Sequence, residues 1–252
     1  MDVIFQDKIQ KKFIKYTEKY NLEDINLKRK QEHSIRVMKI CIELANKLNL
    51  SEEEVELSAL IGLLHDIARF EQYTKYGTFR DIESVDHGDY AIGILKNELR
   101  KYIETNKYDE IIKKAIKNHN KYKIEEGLNE KEELFAKLIR DADKIDIFYE
   151  SAEIFWKGKE YIVEESKIGP EIVQQFENET QIKRGTRKNS EINRIICVIA
   201  FIFDINFKPS FDIIKQNDYI NRILDRYDMK DEYTKQQLQK IRDKANKYIG
   251  KE

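Results

Sequence analysis

Only two prolines, Pro170 and Pro209, and nine glycines interrupt 252 residues in which Lys, Glu, Ile and Leu dominate. Proline and glycine are the residues that break helices, so a chain this short of them predicts an all-α fold and argues against a parallel α/β sheet. Apolar periodicity agrees. From His33, the residues Val37, Ile40, Cys41, Leu44, Ala45 and Leu48 recur at three- and four-residue spacing, the single stripe by which a helix meets a core. The pattern predicts helices at about 4–20, 29–49, 52–71, 86–104, 107–122, 131–155, 170–182, 190–206, 213–227 and 231–248. Ser51 with Glu54 spells a capping box, and Asp86 or Ser84 can cap the helix that begins at His87.

The chain has four histidines: His33, His65 with Asp66 beside it, His87 and His119, and Asp143 follows on the next helix. Each shares a face with apolar residues. His87 is in step with Ala91, Ile94 and Leu95, His119 with Ile112, Ala115 and Ile116, and Asp143 with Phe135, Ile139 and Ala142. His65 and Asp66 end the run Leu57 to Leu64, which is too continuously apolar for a surface helix. A lone inward histidine is more often a satisfied core residue than a ligand. Four of them with two inward carboxylates, which are costly to bury unpaired, point instead to a divalent transition metal: Mn, Fe, Co, Ni or Zn.

Composition limits the alternatives. Net charge is −1, with 37% charged residues spread along the chain, so no stripe for stable nucleic-acid binding stands out. Cys41 and Cys197 lie in apolar helical stretches and read as core fillers in a reducing compartment. No segment has the apolar length of a signal peptide or a membrane span, so a cytoplasmic protein with no membrane partner is expected. Gly169-Pro170 is the strongest punctuation after Asp143, but helical character continues beyond it. A single domain, 1–252, is expected, with a core at about 30–150 and a C-terminal helical extension at 151–252. There Phe155 and Trp156 are expected to pack in the core. Lys183, Arg184, Arg187 and Lys188 around Gly185 read as a solvated charge run more readily than as a lid.

His33, His65-Asp66 and Asp143 resemble the H…HD…D signature of the HD superfamily of metal-dependent phosphohydrolases. The strings LLHDIARF, YGTFRDIESVDHG and IRDADKID are similar to elements of that superfamily over about residues 30–150. The resemblance implies an HD-domain helical bundle. It implies a first metal held by His33, His65, Asp66 and Asp143, and a second held by His87 and His119 with Asp66 bridging. The sequence departs from parts of the superfamily. Ala68 stands where glycine is usual, there is no GYP motif, and the fourth histidine is not one of a pair, so cyclic di-guanylate hydrolysis is not expected.

Such a site suits attack on phosphorus by water whose pKa a metal lowers from 15.7 towards about 7. The expected substrate is a phosphate ester or anhydride of a nucleotide or another small phosphorylated metabolite. Asp66, Arg69 and Lys144 are the expected catalytic residues, with Arg69, Arg80 and Lys144 gripping phosphate. Asn118 and Asn120 read as helix-end caps. Tyr73, Tyr76 and Phe79, in a loop expected between Phe70 and Asp86 to wall the site, are candidates for stacking. A diiron oxygenase of the same fold, or a sensor that binds metal without turnover, would carry the same ligands.

Overall fold

The computed structural model describes residues 3–154, 162–165, 167–183 and 190–251. The expected core packing of Phe155 and Trp156, and the expectations for Arg184, Arg187 and Lys188, lie outside them. The fold is helical, and it divides into two compact units, Met1–Asp143 and Lys144–Glu252. No described helix is long and apolar enough to cross a membrane.

The first unit holds α1 (Val3–Thr17), α2 (Ile25–Lys47), α3 (Glu52–Leu64), α4 (Ile67–Tyr76), α5 (His87–Glu98), α6 (Asp109–Asn118) and most of α7 (Glu130–Tyr149). At its centre is α3. Every residue from Leu57 to Leu64 is buried, because α3 packs against α1, α2 and α6 together. Each large aliphatic side chain buried there contributes about 1.5–3 kcal/mol. The capping box at Ser51 starts α3: Glu54 N–H donates to Ser51 Oγ at 3.4 Å and Ser51 N–H to Glu54 Oε2 at 3.1 Å. Of the two candidate caps for α5, Asp86 is the one used, accepting from Asp89 N–H at 3.1 Å.

The single helix expected at 52–71 is two. It breaks at His65-Asp66, where Asp66 leaves helical geometry at φ −102° and ψ 19°. The expected loop after Phe70 is also shorter: α4 runs to Tyr76 and stops at Gly77, whose φ of +67° is the left-handed closure glycine favours. A turn of 3₁₀ helix, Asp81–Glu83, then leads to α5.

The second unit contains a π-helical turn at Glu150–Ile154, α8 (Pro170–Glu177), α9 (Glu191–Ile199), α10 (Lys208–Gln216), α11 (Tyr219–Leu224) and α12 (Glu232–Lys251). In it α12 packs against α8, α10 and α11. Two short strands, β1 (Ile162–Glu164) and β2 (Tyr227–Met229), pair in parallel with Val163 opposite Asp228. The helix expected at 213–227 is also divided, because Asp218 takes φ +51° and separates α10 from α11. Pro209 opens α10, where its fixed φ suits a first helical turn.

At Gly62 α2 and α3 come close enough to exclude a side chain. A Cβ there would lie 2.7 Å from Cys41 Sγ and 3.0 Å from Met38 Cα. Gly62→Ala is expected to lower the unfolding free energy by about 1–3 kcal/mol through overpacking, measured by denaturant titration; an unchanged midpoint would contradict this packing.

Candidate metal centre

Four of the six candidate ligands stand at helix ends. His65 closes α3, Asp66 is the residue before α4, His87 is the first residue of α5, and His119 closes α6. His33 and Asp143 lie within α2 and α7. Interior helical side chains fan outward, whereas residues at helix ends can be aimed at a common point. All six converge here. The four histidines and Asp66 are at most 4% exposed.

The Asp66 carboxylate divides the site. Its Oδ2 is 3.6 Å from both His33 Nε2 and His65 Nε2, and its Oδ1 is 3.4 Å from His87 Nε2 and 3.6 Å from His119 Nε2. Asp143 Oδ1 joins the first pair, 3.2 Å from His33 Nε2 and 3.7 Å from His65 Nε2. His33, His65 and Asp143 are thus close enough to hold one ion, and so are His65, Asp66 and His119. Ligands sharing an ion with bonds of about 2.1 Å lie about 3.0 Å apart in octahedral and about 3.4 Å apart in tetrahedral geometry, and these donors, 3.2–3.7 Å apart, lie close to that spacing.

Proton positions strengthen the fit. His65 Nδ1 lies 2.7 Å from the Gly62 carbonyl and His119 Nδ1 2.6 Å from the Ile116 carbonyl. His87 Nδ1 lies 2.7 Å from Asp81 Oδ2. Carbonyls and carboxylates only accept, so each Nδ1 carries a proton and Nε2 is the nitrogen turned to the site. Burial is the main reason that the pKa of His65 falls to about 4 and that of His87 to about 3, so both rings are neutral at pH 7. His87 Nε2 and His119 Nε2 are 2.9 Å apart. Nitrogens at that distance can share a cation, and a divalent ion is the chemistry this donor set fits.

Around Asp66 stand two cations. Lys30, one turn before His33 on α2, donates to Asp66 Oδ2 at 2.9 Å, and Arg69 Nε donates to Oδ1 at 3.3 Å. Burial pushes Asp66 upward as an acid, but the charges of Lys30 and Arg69 oppose it and the carboxylate lies well below its usual range. For Asp143 burial likewise acts upward and is outweighed, with the hydrogen bond from His33 the largest opposing cause.

Of the expected phosphate-gripping residues, Arg69 is beside the site, with its Nη1 donating to Gln72 Oε1, the Phe79 carbonyl and Asp81 Oδ1 at 2.8, 2.6 and 3.0 Å. Arg80 is on the surface, paired with Glu83 and 67% exposed. Lys144 falls in the second unit, buried, with its ammonium 2.6 Å from Asp204. Tyr73 and Phe79 stack on each other, centroids 4.6 Å apart, while Tyr76 is exposed. Asn118 caps its own helix by donating to the Lys114 carbonyl. Asn120 instead donates to Asp86 Oδ1 at 2.9 Å and Asp81 Oδ2 at 3.2 Å.

Sequence reasoning missed Lys30, Asp81, Gln72 and Arg140. Lys30 had a signal, since it sits three residues before His33 and so on the same helix face. Arg140 had none: it is fully buried, and its Nη1 donates to the carbonyls of Asn118 and Lys121 at 2.8 and 2.7 Å, closing the end of α6 that carries His119.

A family model, that of the HD domain, matches residues 31–147, a span that contains all six converging residues. No curated protein and no solved structure matches the chain.

Asp81→Ala removes the acceptor of His87 Nδ1 and is expected to weaken metal binding about 10–100-fold with the fold intact, read by metal titration. Arg140→Met leaves buried carbonyls unsatisfied and is expected to cost about 1–3 kcal/mol of stability in thermal unfolding.

Proposed function

Since residues 31–147 of this chain belong to the HD domain family, in general a family of metal-dependent hydrolases, we propose that the protein is a phosphohydrolase acting on a phosphate ester or anhydride of a nucleotide or another small phosphorylated metabolite. The observation that carries the proposal is the position of Asp66, one oxygen turned to His33 and His65 and the other to His87 and His119. In this reading two divalent transition ions are held. His33, His65, Asp66 and Asp143 take the first, and His87 and His119 take the second, with Asp66 shared.

Bound there, the ions would supply Lewis-acid activation of water and of the phosphoryl oxygens. The chain's own part is positional and electrostatic. Gly62, Ile116 and Asp81 fix the rings of His65, His119 and His87 with Nε2 inward, so no side chain has to reorganise as charge develops on phosphorus. Lys30 and Arg69 add positive charge beside Asp66, where a phosphate would approach. This favours the phosphate reading over a C–H oxidising one. Arg80 and Lys144, paired with Glu83 and Asp204, are not called on in this reading.

The test is phosphate release from nucleotides, dinucleotides and sugar phosphates with Mn²⁺, Co²⁺ or Ni²⁺ added. The parent is expected to release phosphate and Asp66→Ala to fall to the uncatalysed background. His119→Ala should keep one of two metal equivalents. No release from any substrate by a metal-loaded parent would overturn the proposal, and two full equivalents in His119→Ala would overturn the binuclear site.

A further inference from the structure

Three basic residues that lie near the ligands in sequence are already engaged by protein acceptors. Arg69 donates through Nε to Asp66 and through Nη1 to Gln72, Phe79 and Asp81, so its fork ties the 79–87 segment to the site. Arg80 pairs on the surface with Glu83, and Lys144 with Asp204 in the second unit.

Lys30 is different. Its ammonium has three donors and, among the described residues, one acceptor, Asp66 Oδ2 at 2.9 Å. Its other neighbour is the face of Phe79, with Nζ 5.8 Å from the ring centroid, a contact that takes no donor away. The Lys30 side chain is 23% exposed against 4% for Asp66, so part of it is open to solvent where the carboxylate is closed off. Phe79 is held in turn by its stack on Tyr73, whose hydroxyl accepts from Asn26 at 2.8 Å. Asn26 is one turn before Lys30 on α2. The wall and the lysine are therefore anchored to the same helix.

From this geometry we infer that Lys30 is the residue that grips the phosphoryl group of the substrate. The inference rests on the phosphohydrolase reading for its substrate class. Atoms sharing an ion lie about 3 Å apart, so an ammonium 2.9 Å from Asp66 Oδ2 reaches an oxygen placed next to that atom. A compact point charge with two further donors suits a phosphoryl group that must arrive and leave. Lys30 donates to both Asp66 and a phosphoryl oxygen, linking occupancy of the substrate position to the carboxylate on which both histidine pairs converge.

The test is calorimetric titration of inorganic phosphate into Mn²⁺-loaded parent, Lys30→Gln and Lys30→Arg, with metal content measured on each. Lys30→Gln is expected to keep the parent's metal content and to bind phosphate about 10–100-fold more weakly, the loss of one charge-assisted hydrogen bond. KM for any substrate found should rise by a similar factor. Lys30→Arg should recover most of the binding. Unaltered phosphate binding in Lys30→Gln overturns the inference, and so does loss of metal, which would make Lys30 a positioning residue for Asp66. Phosphate binding that depends on Lys30 in a parent that hydrolyses nothing would support the inference and count against the phosphohydrolase reading; hydrolysis indifferent to Lys30 would do the reverse.

Discussion

A carboxylate buried among four histidine rings sets the terms for the rest of the first unit. Asp66 occupies the position before α4 where an aspartate ordinarily caps its own helix, an arrangement worth about 0.5–2 kcal/mol, yet it makes no such bond. Its oxygens turn inward to Lys30, Arg69 and the two histidine pairs. A local stabilisation is thus given up for a convergent charge, the kind of departure from local rules that marks functional sites. The break between α3 and α4 has the same origin: a continuous helix at 64–67 could not aim His65 and Asp66 at one point.

Around that carboxylate, order is imposed from outside the ligand set. Asp81 holds His87, the Gly62 and Ile116 carbonyls hold His65 and His119, and Arg140 closes the end of α6. Arg69 and Gln72 converge on Asp81 at 3.0 and 3.1 Å. The segment after α4 is therefore neither a loose wall nor a source of free aromatic faces; it is the support that fixes one histidine tautomer.

What was legible in the sequence is what periodicity carries. The inward faces of α2, α5, α6 and α7 placed His33, His87, His119 and Asp143 together, and the unbroken apolar run of α3 placed His65 and Asp66 at depth. Periodicity is blind to contacts between elements. Lys30, Asp81, Gln72 and Arg140 act across 36, 6, 9 and 22 residues, and three of the four are polar residues with no stripe to announce them. It also overlooks short interruptions, because one residue leaving helical geometry, Asp66 or Asp218, does not disturb the apolar pattern on either side. Arg80 shows the converse: though only a short way along the chain from Asp66, its guanidinium pairs with Glu83 on the surface.

His33 and His65 are 32 residues apart in sequence, as are His87 and His119, and each pair meets at about 3 Å. Anything that binds both members of a pair ties off that stretch of chain, and the logarithmic part of the closure entropy for such a loop is about 3 kcal/mol. Two ions joined through Asp66 would tie off both loops at once, as a pair of disulfides would, but reversibly. The folded lifetime of this chain would then follow the supply of its metal, and scarcity of the ion would be felt first as loss of the protein.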